Sequence, residues 1–274
     1  MKITSIILAV LTCAWQALVG WVCPSKVQPI DPLQRFTLTW SDEFDGNALD
    51  TANWGGHGFT DGAKKRRDGY WHMGMAQVGD GVLRIPSVYY EDGFGGGPAG
   101  YYTLGIDTSR SFSQQFGYFE VRCILPKGAG LWSAFWLLCP GMGNVDGSGR
   151  DGTEIDVYES AYYFTDDKDR VSSALHYDGY GDAHRSKGVG TFAVAAPYDN
   201  FHTYGLEWNK CEYIFYIDGK RVKCSSFGGV SQVPEYLILS VEHELGGWAG
   251  DIRDNAPEDM TDFVVDYVRV YQYK

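Results

Sequence analysis

Short apolar runs broken by glycine-rich turns recur from Phe36 to the end of the chain, and no window sustains a helical period over the length of a good helix. That rhythm predicts strands at residues 82–85, 118–124, 133–138, 154–158, 171–176, 203–208, 213–217, 236–241 and 263–271. In the last of these, residues alternate after Asp266, as in a strand with one wet side and one side in a core. The 35 glycines suit many strands joined by tight turns, and 44% apolar residues can fill one large core. The expected fold is therefore all-β, with two antiparallel sheets stacked as a sandwich. Glycine-rich residues 89–100 and 141–152 read as loops, the segments on which rigid scaffolds often carry binding sites.

Residues 3–23 carry no charge and follow Lys2, the pattern of a signal peptide. Residues 1–23 are thus expected to be a leader, its cut left unplaced, residues 24–35 a lead-in that includes Pro29 and Pro32, and residues 36–274 the folded body. Export follows from this reading; because the apolar stretch is nearly long enough to cross a bilayer, an uncleaved anchor is the alternative. An oxidising compartment would permit disulfides, and Cys211 and Cys224, which bracket an expected hairpin turning at Asp218-Gly219, are the better pair. No CxxC spacing points to zinc.

A formal net charge of -12 without a long basic stretch argues against a nucleic-acid partner. The one local exception, Lys64-Lys65-Arg66-Arg67, reads as a solvated loop, with an anionic sugar as the alternative contact. Aromatic residues reach 15%. Their flat faces match the C–H faces of sugar rings, although strands favour Tyr and Trp in any case.

Three carboxylates crowd into Glu154-Ile-Asp156-Val-Tyr-Glu159, an arrangement that costs repulsion. On a strand, Glu154 and Asp156 share one face and Ile155 takes the other. Period two would send Glu159 to the core side, and one extra residue in a bulge at Val157-Tyr158 brings it back. Two carboxyls of different environment on one face are what glycosidic hydrolysis requires: one attacks or steadies the anomeric carbon, the other stays protonated and donates to the leaving oxygen. Asp156 would hydrogen-bond Glu154, and its charge would raise the proton affinity of Glu159. Carboxyls leaning together imply retention of configuration, the expected outcome here.

The string resembles the E-x-D-x-x-E signature of glycoside hydrolase family 16 in its bulged form. Further blocks, in the family's order, are similar too: Trp40-Ser-Asp-Glu-Phe-Asp-Gly46, residues 116–122, 130–137, 201–208, 213–220, 234–239 and 265–271. The resemblance implies a concanavalin-like jelly roll with a concave cleft, and a catalytic domain over residues 36–274. It implies Glu154 as nucleophile, Asp156 as its helper and Glu159 as acid/base, with Trp132, Trp136 and His176 lining the cleft; of the neighbours Phe135 and Trp136, the first is expected in the core. It also implies a structural calcium, for which Asp266 is the nominated side chain, while the chemistry itself requires no cofactor. The activity implied is endo-hydrolysis of a β-1,3- or mixed β-1,3-1,4-glucan. A galactan hydrolase of the agarase or carrageenase type, a transglycosylase and a non-catalytic sugar-binding module are the alternatives. The expected partner is the polysaccharide alone, with no stable membrane partner and a monomeric chain.

Overall fold

The computed structural model describes residues 29–55 and 62–274, so the expected leader lies outside the described residues. A single helical turn, Pro32–Arg35, capped by the Asp31 side chain, leads into β1 (Phe36–Asp42). Short strands follow: β2 (Lys64–Arg66), β3 (Gly69–Trp71), β4 (Gln77–Gly79) and β5 (Val82–Ile85). Next come β6 (Val88–Tyr90), β7 (Gly100–Thr103), β8 (Gly105–Asp107), β9 (Gly117–Ile124) and β10 (Leu131–Leu138). The middle of the chain forms β11 (Glu154–Glu159), β12 (Arg170–Tyr177), β13 (Arg185–Ala193) and β14 (His202–Trp208). It closes with β15 (Tyr213–Ile217), β16 (Lys220–Ser225), β17 (Tyr236–His243) and β18 (Phe263–Tyr273).

Two antiparallel sheets carry the fold. One has the order β16-β15-β14-β9-β18-β5-β4, with β1 also on β18, and the other β13-β12-β11-β10-β17-β8. Their facing sides make the core by strict alternation. Phe135 and Leu137 of β10, Ile155 of β11, Leu175 of β12 and Leu237 and Leu239 of β17 are fully buried against Phe119, Val121, Leu206 and Val268 of the other sheet. Period two then dictates that Trp132, Trp136, Asp156, His176 and Ser240 face away from this core. A smaller apolar cluster, with Phe36, Tyr118, Tyr216 and Tyr271, covers the far side of the first sheet beneath Ile30 and Tyr273.

Two details depart from expectation. A third sheet, β2-β3-β7-β6, exists where residues 64–67 and 89–100 read as loops. Its strands are three or four residues long, too short for alternation to register. The second concerns the thiols: Cys211 is disulfide-bonded whereas Cys224 is free, so the hairpin pair does not form. The turn at Asp218-Gly219 together with a register shift between Phe215 and Tyr216 places Cys224 opposite Ile214, three residues along from Cys211.

Candidate active site

The site is built by an irregularity in β11. Against β10, Trp136 pairs with Asp156 and Phe135 with Tyr158, so Val157 is the extra residue. Against β12 the ladder likewise slips between Asp156, opposite Ala174, and Glu159, opposite Ser172. The carbonyl freed at Val157 accepts the Ser173 hydroxyl at 2.7 Å, which offsets the lost ladder bond. Tyr158 fixes the phase of the bulge: its ring is fully buried 4.3 Å from that of Tyr204, and its oxygen accepts the Cys123 thiol. Glu154, Asp156 and Glu159 consequently line one cleft of about 600 Å³ on the outer face of the six-stranded sheet.

Burial and crowding together raise two of these acids. Burial, and after it the negative charges of Asp156 and Glu154, holds the Glu159 carboxyl well above the usual carboxylate range, outweighing His176 and Arg67. Asp156 is raised too, chiefly by burial and then by Glu154. The Asp156 carboxylate lies 3.2 Å from His176 Nε2, and His176 Nδ1 lies 3.0 Å from His184 Nε2, with the two rings parallel at 5.2 Å. Tyr180 donates its hydroxyl to Glu154 Oε2. Glu154, Asp156 and His176 each bring a donor atom within 4.8 Å of the others, a grouping tight enough for a metal ion. Contacts within the chain already engage these atoms.

Aromatic and polar walls complete the cleft. Trp136 points into it and donates Nε1–H to Ser240, while Phe135 lies in the core. Trp132 meets Trp248 edge to face at 4.7 Å, and the Arg67 guanidinium lies 4.1 Å over its ring. Residues 64–67, read above as a solvated loop, instead end β2 at the cleft. There Arg66 binds Glu242 at 2.7 Å, and Arg67 reaches Glu242 and Glu244 at 3.8 and 3.9 Å.

Trp132, Trp136 and His176 thus lie with the three acids, and Asp266 does not. Asp266 sits in a bulge of β18 between Val265 and Tyr267, and its carboxylate is ion-paired with Arg122. The Arg122 guanidinium pairs with the carboxylate nominated for calcium, and among the described residues no group of three His, Cys, Asp or Glu side chains includes Asp266. The glycine-rich loop 141–152 contributes nothing to the cleft lining. It buttresses the turn that carries Tyr180, through Gly179 N–H to Met142 O at 2.7 Å and through Asp178, whose carboxylate accepts the N–H groups of Asp146 and Gly147.

Several site residues escaped the reading of the sequence. Ser240 and Glu242 were accessible in principle, as the alternates of Leu237, Leu239 and Val241 on β17. Tyr180 and His184 follow β12 in a glycine-rich turn without periodicity, and no local pattern marks them.

The family model for glycosyl hydrolases family 16 matches residues 65–269. The chain belongs to this family. A family 16 jelly roll is also what its structural neighbours show: a non-specific endo-β-1,3(4)-glucanase superposes with a TM-score of 0.68 at 26% identity, over 89% of this chain and 98% of that one. A chain from work on endo-acting O-glycanases of the human gut microbiota gives a TM-score of 0.69 at 26% identity, over 90% and 94%. In sequence, an endo-1,3-1,4-β-glycanase of Rhizobium meliloti (strain 1021) is 31% identical over 71% of this chain. A β-glucanase of Rhodothermus marinus is 28% identical over 89% of this chain and 87% of its own length. The family 16 chain spans only 39% of the Rhizobium protein, and the same share of a glucan endo-1,3-β-glucosidase of Niallia circulans.

Proposed function

We propose that this family 16 chain is a retaining endo-glycoside hydrolase acting on a β-1,3- or mixed β-1,3-1,4-glucan, with Glu154 as nucleophile and Glu159 as acid/base. The observation that carries the reading is the bulge at Val157, which puts both glutamates in one cleft while burial and neighbouring charge keep a proton on Glu159. In the first step Glu159 gives its proton to the glycosidic oxygen as a Glu154 oxygen attacks the anomeric carbon, so the C–O bond to the leaving chain breaks and a glycosyl ester forms. In the second, Glu159, now a carboxylate, takes a proton from water, which displaces Glu154. Two inversions leave the configuration retained. Asp156 orients the cluster and loads it with negative charge, which favours the protonated form of Glu159 until the leaving group departs. Tyr180 stabilises Glu154 as the leaving carboxylate of the second step.

Glucan is favoured by the names of the relatives and by the neutralised cleft end, where Glu242 and Glu244 accompany Arg66 and Arg67. A sulfated galactan is the second reading, on the strength of those same arginines and of a keratan-sulfate endo-1,4-β-galactosidase from Sphingobacterium multivorum that is 27% identical over 86% of this chain. Transglycosylation would use the same ester with a sugar acceptor. The uncharged stretch of residues 3–23 after Lys2 supports export in this reading, with a membrane anchor as the alternative. Reducing ends released from laminarin, lichenan, agarose, carrageenan and xyloglucan test the substrate, with laminarin or lichenan expected to lead. Proton NMR of the first product tests the stereochemistry, and an inverted anomer would refute the covalent route.

A further inference from the structure

The hairpin that joins β12 to β13 brings two histidines together on the outer face of the six-stranded sheet. His176 pairs with Ser186 across the ladder. His184 lies two residues before Ser186, on the same face and diagonal to His176, a placement from which side chains of neighbouring strands can touch. The nearest nitrogens, His176 Nδ1 and His184 Nε2, are 3.0 Å apart, the ring planes differ by 7° and the ring centroids are 5.2 Å apart. In a face-to-face stack the centroids would be about as close as the nitrogens. Here they stand farther apart by the width of a ring, so the imidazoles lie edge to edge in nearly one plane, each nitrogen aimed at the other. That is the geometry of an N–H···N hydrogen bond.

A neutral imidazole carries one N–H and one lone pair. Both nitrogens of His176 are engaged: Nε2 faces the buried Asp156 carboxylate at 3.2 Å, and Nδ1 faces His184. With neutral rings the chain of bonds runs in one of two senses. Either His184 Nε2–H donates to His176 Nδ1 and His176 Nε2–H donates to an ionised Asp156, or a protonated Asp156 donates and every bond is reversed. Only the first sense leaves Asp156 with the negative charge that helps hold Glu159 protonated. A hydrogen bond donated to a carboxylate favours its charged form, which opposes the burial that raises Asp156. The same turn carries Tyr180, whose ring lies 5.9 Å from that of His184 and whose hydroxyl is donated to Glu154. One short turn thus serves both Glu154 and, through His176, Asp156.

We propose that His184 is a positioning residue whose Nε2–H holds His176 as the Nε2–H tautomer, so that His176 keeps a hydrogen bond directed at Asp156. It rests on the functional reading above and deepens it, because the charge on Asp156 is what the first step draws on. Long-range proton–nitrogen correlation of the imidazoles in the free wild-type enzyme, at about pH 8 where an ordinary histidine is neutral, should show His176 protonated at Nε2. This measurement needs no variant to fold. His184→Leu should let the two His176 tautomers mix and lower kcat on laminarin by about threefold to tenfold, the scale of one hydrogen bond, with KM unchanged. His184→Gln, which keeps an amide N–H at a similar reach, should restore the tautomer and most of the rate. His176 found protonated at Nδ1 in the wild-type enzyme, or kcat equally low in the Gln and Leu variants, would overturn the assignment of His184 and leave the functional reading intact. If instead the wild-type enzyme released no reducing ends from any polymer tested, the functional reading would fall and the role of His184 in the rate with it.

Discussion

Two groups of acids lie on opposite outer faces of the sandwich, and they are treated in opposite ways. On the eight-stranded sheet, Glu207 accepts both arms of Arg35 at 2.6 and 3.0 Å and the hydroxyls of Tyr216 and Tyr273 at 2.9 and 3.0 Å. Nearby, Glu120 accepts the hydroxyls of Tyr118 and Tyr267, both at 2.9 Å. On the six-stranded sheet, Glu154, Asp156 and Glu159 are crowded against one another with Tyr180 and His176 as their main partners. An acid surrounded by donors is a fixed part of the framework; in the crowded cleft, burial and neighbouring charge raise Asp156 and Glu159. The two groups are therefore told apart by the partners of their carboxylates.

Substitutions on the two faces should separate activity from stability. Glu154→Ala should lower kcat by about 10⁴ or more while leaving polysaccharide binding in place, as expected for loss of a nucleophile. Asp156→Asn should cost about 100-fold in rate and move the basic limb of the pH–rate profile to lower pH, because a charge that raises Glu159 is gone. Glu207→Ala should do the reverse, lowering stability in denaturant by about 2 kcal/mol with kcat unchanged, since hydrogen bonds to a buried carboxylate are lost while Arg35 is half exposed. Tyr180→Phe should reduce kcat about tenfold with little change in melting temperature. A matching loss of stability would class Tyr180 with the framework instead.

Glu159→Gln carries the smallest effect and the clearest sign. Because the folded carboxyl is held above its ordinary value of 4.5, the unfolded chain loses this proton first as pH rises. Wild-type stability must therefore fall between about pH 4.5 and the raised folded value. The variant should melt about 2–4 °C higher at pH 7 and show no gain below pH 4. An equal gain at both pH values would contradict the protonation assigned to Glu159.

Much of this contrast was legible in the chain. The long central strands are visible because their apolar residues alternate, as in Phe135 and Leu137 against Trp136, or Leu175 against His176. The bulge was legible for a chemical reason: period two alone turns Glu159 inward, and a glutamate needed beside Glu154 has to be brought back. Where no alternation exists the reading fails. The strand β13, Arg185-Ser-Lys-Gly-Val-Gly-Thr-Phe-Ala193, is an edge strand that is exposed at most positions and is missing from the strands predicted above. The three-residue β2 and β3 gave no signal, so Arg66 and Arg67 were assigned to solvent. Tyr180 and His184 reach the acids only because the 141–152 loop supports their turn, a tertiary effect that no spacing encodes. Asp266, the acid nominated for a cation, is ion-paired with Arg122, a partner 144 residues away in the chain that no local spacing marks.

The most direct test asks whether Glu154 attacks the anomeric carbon of a bond that Glu159 also serves. Glu154→Ala, given an aryl β-glycoside of a short glucan oligosaccharide and sodium azide, should regain turnover as azide enters the space left by the carboxylate and expels the phenolate. Proton NMR should then show the α-glycosyl azide. A β-configured azide, or hydrolysis by this variant at the wild-type rate without azide, would contradict the assignment.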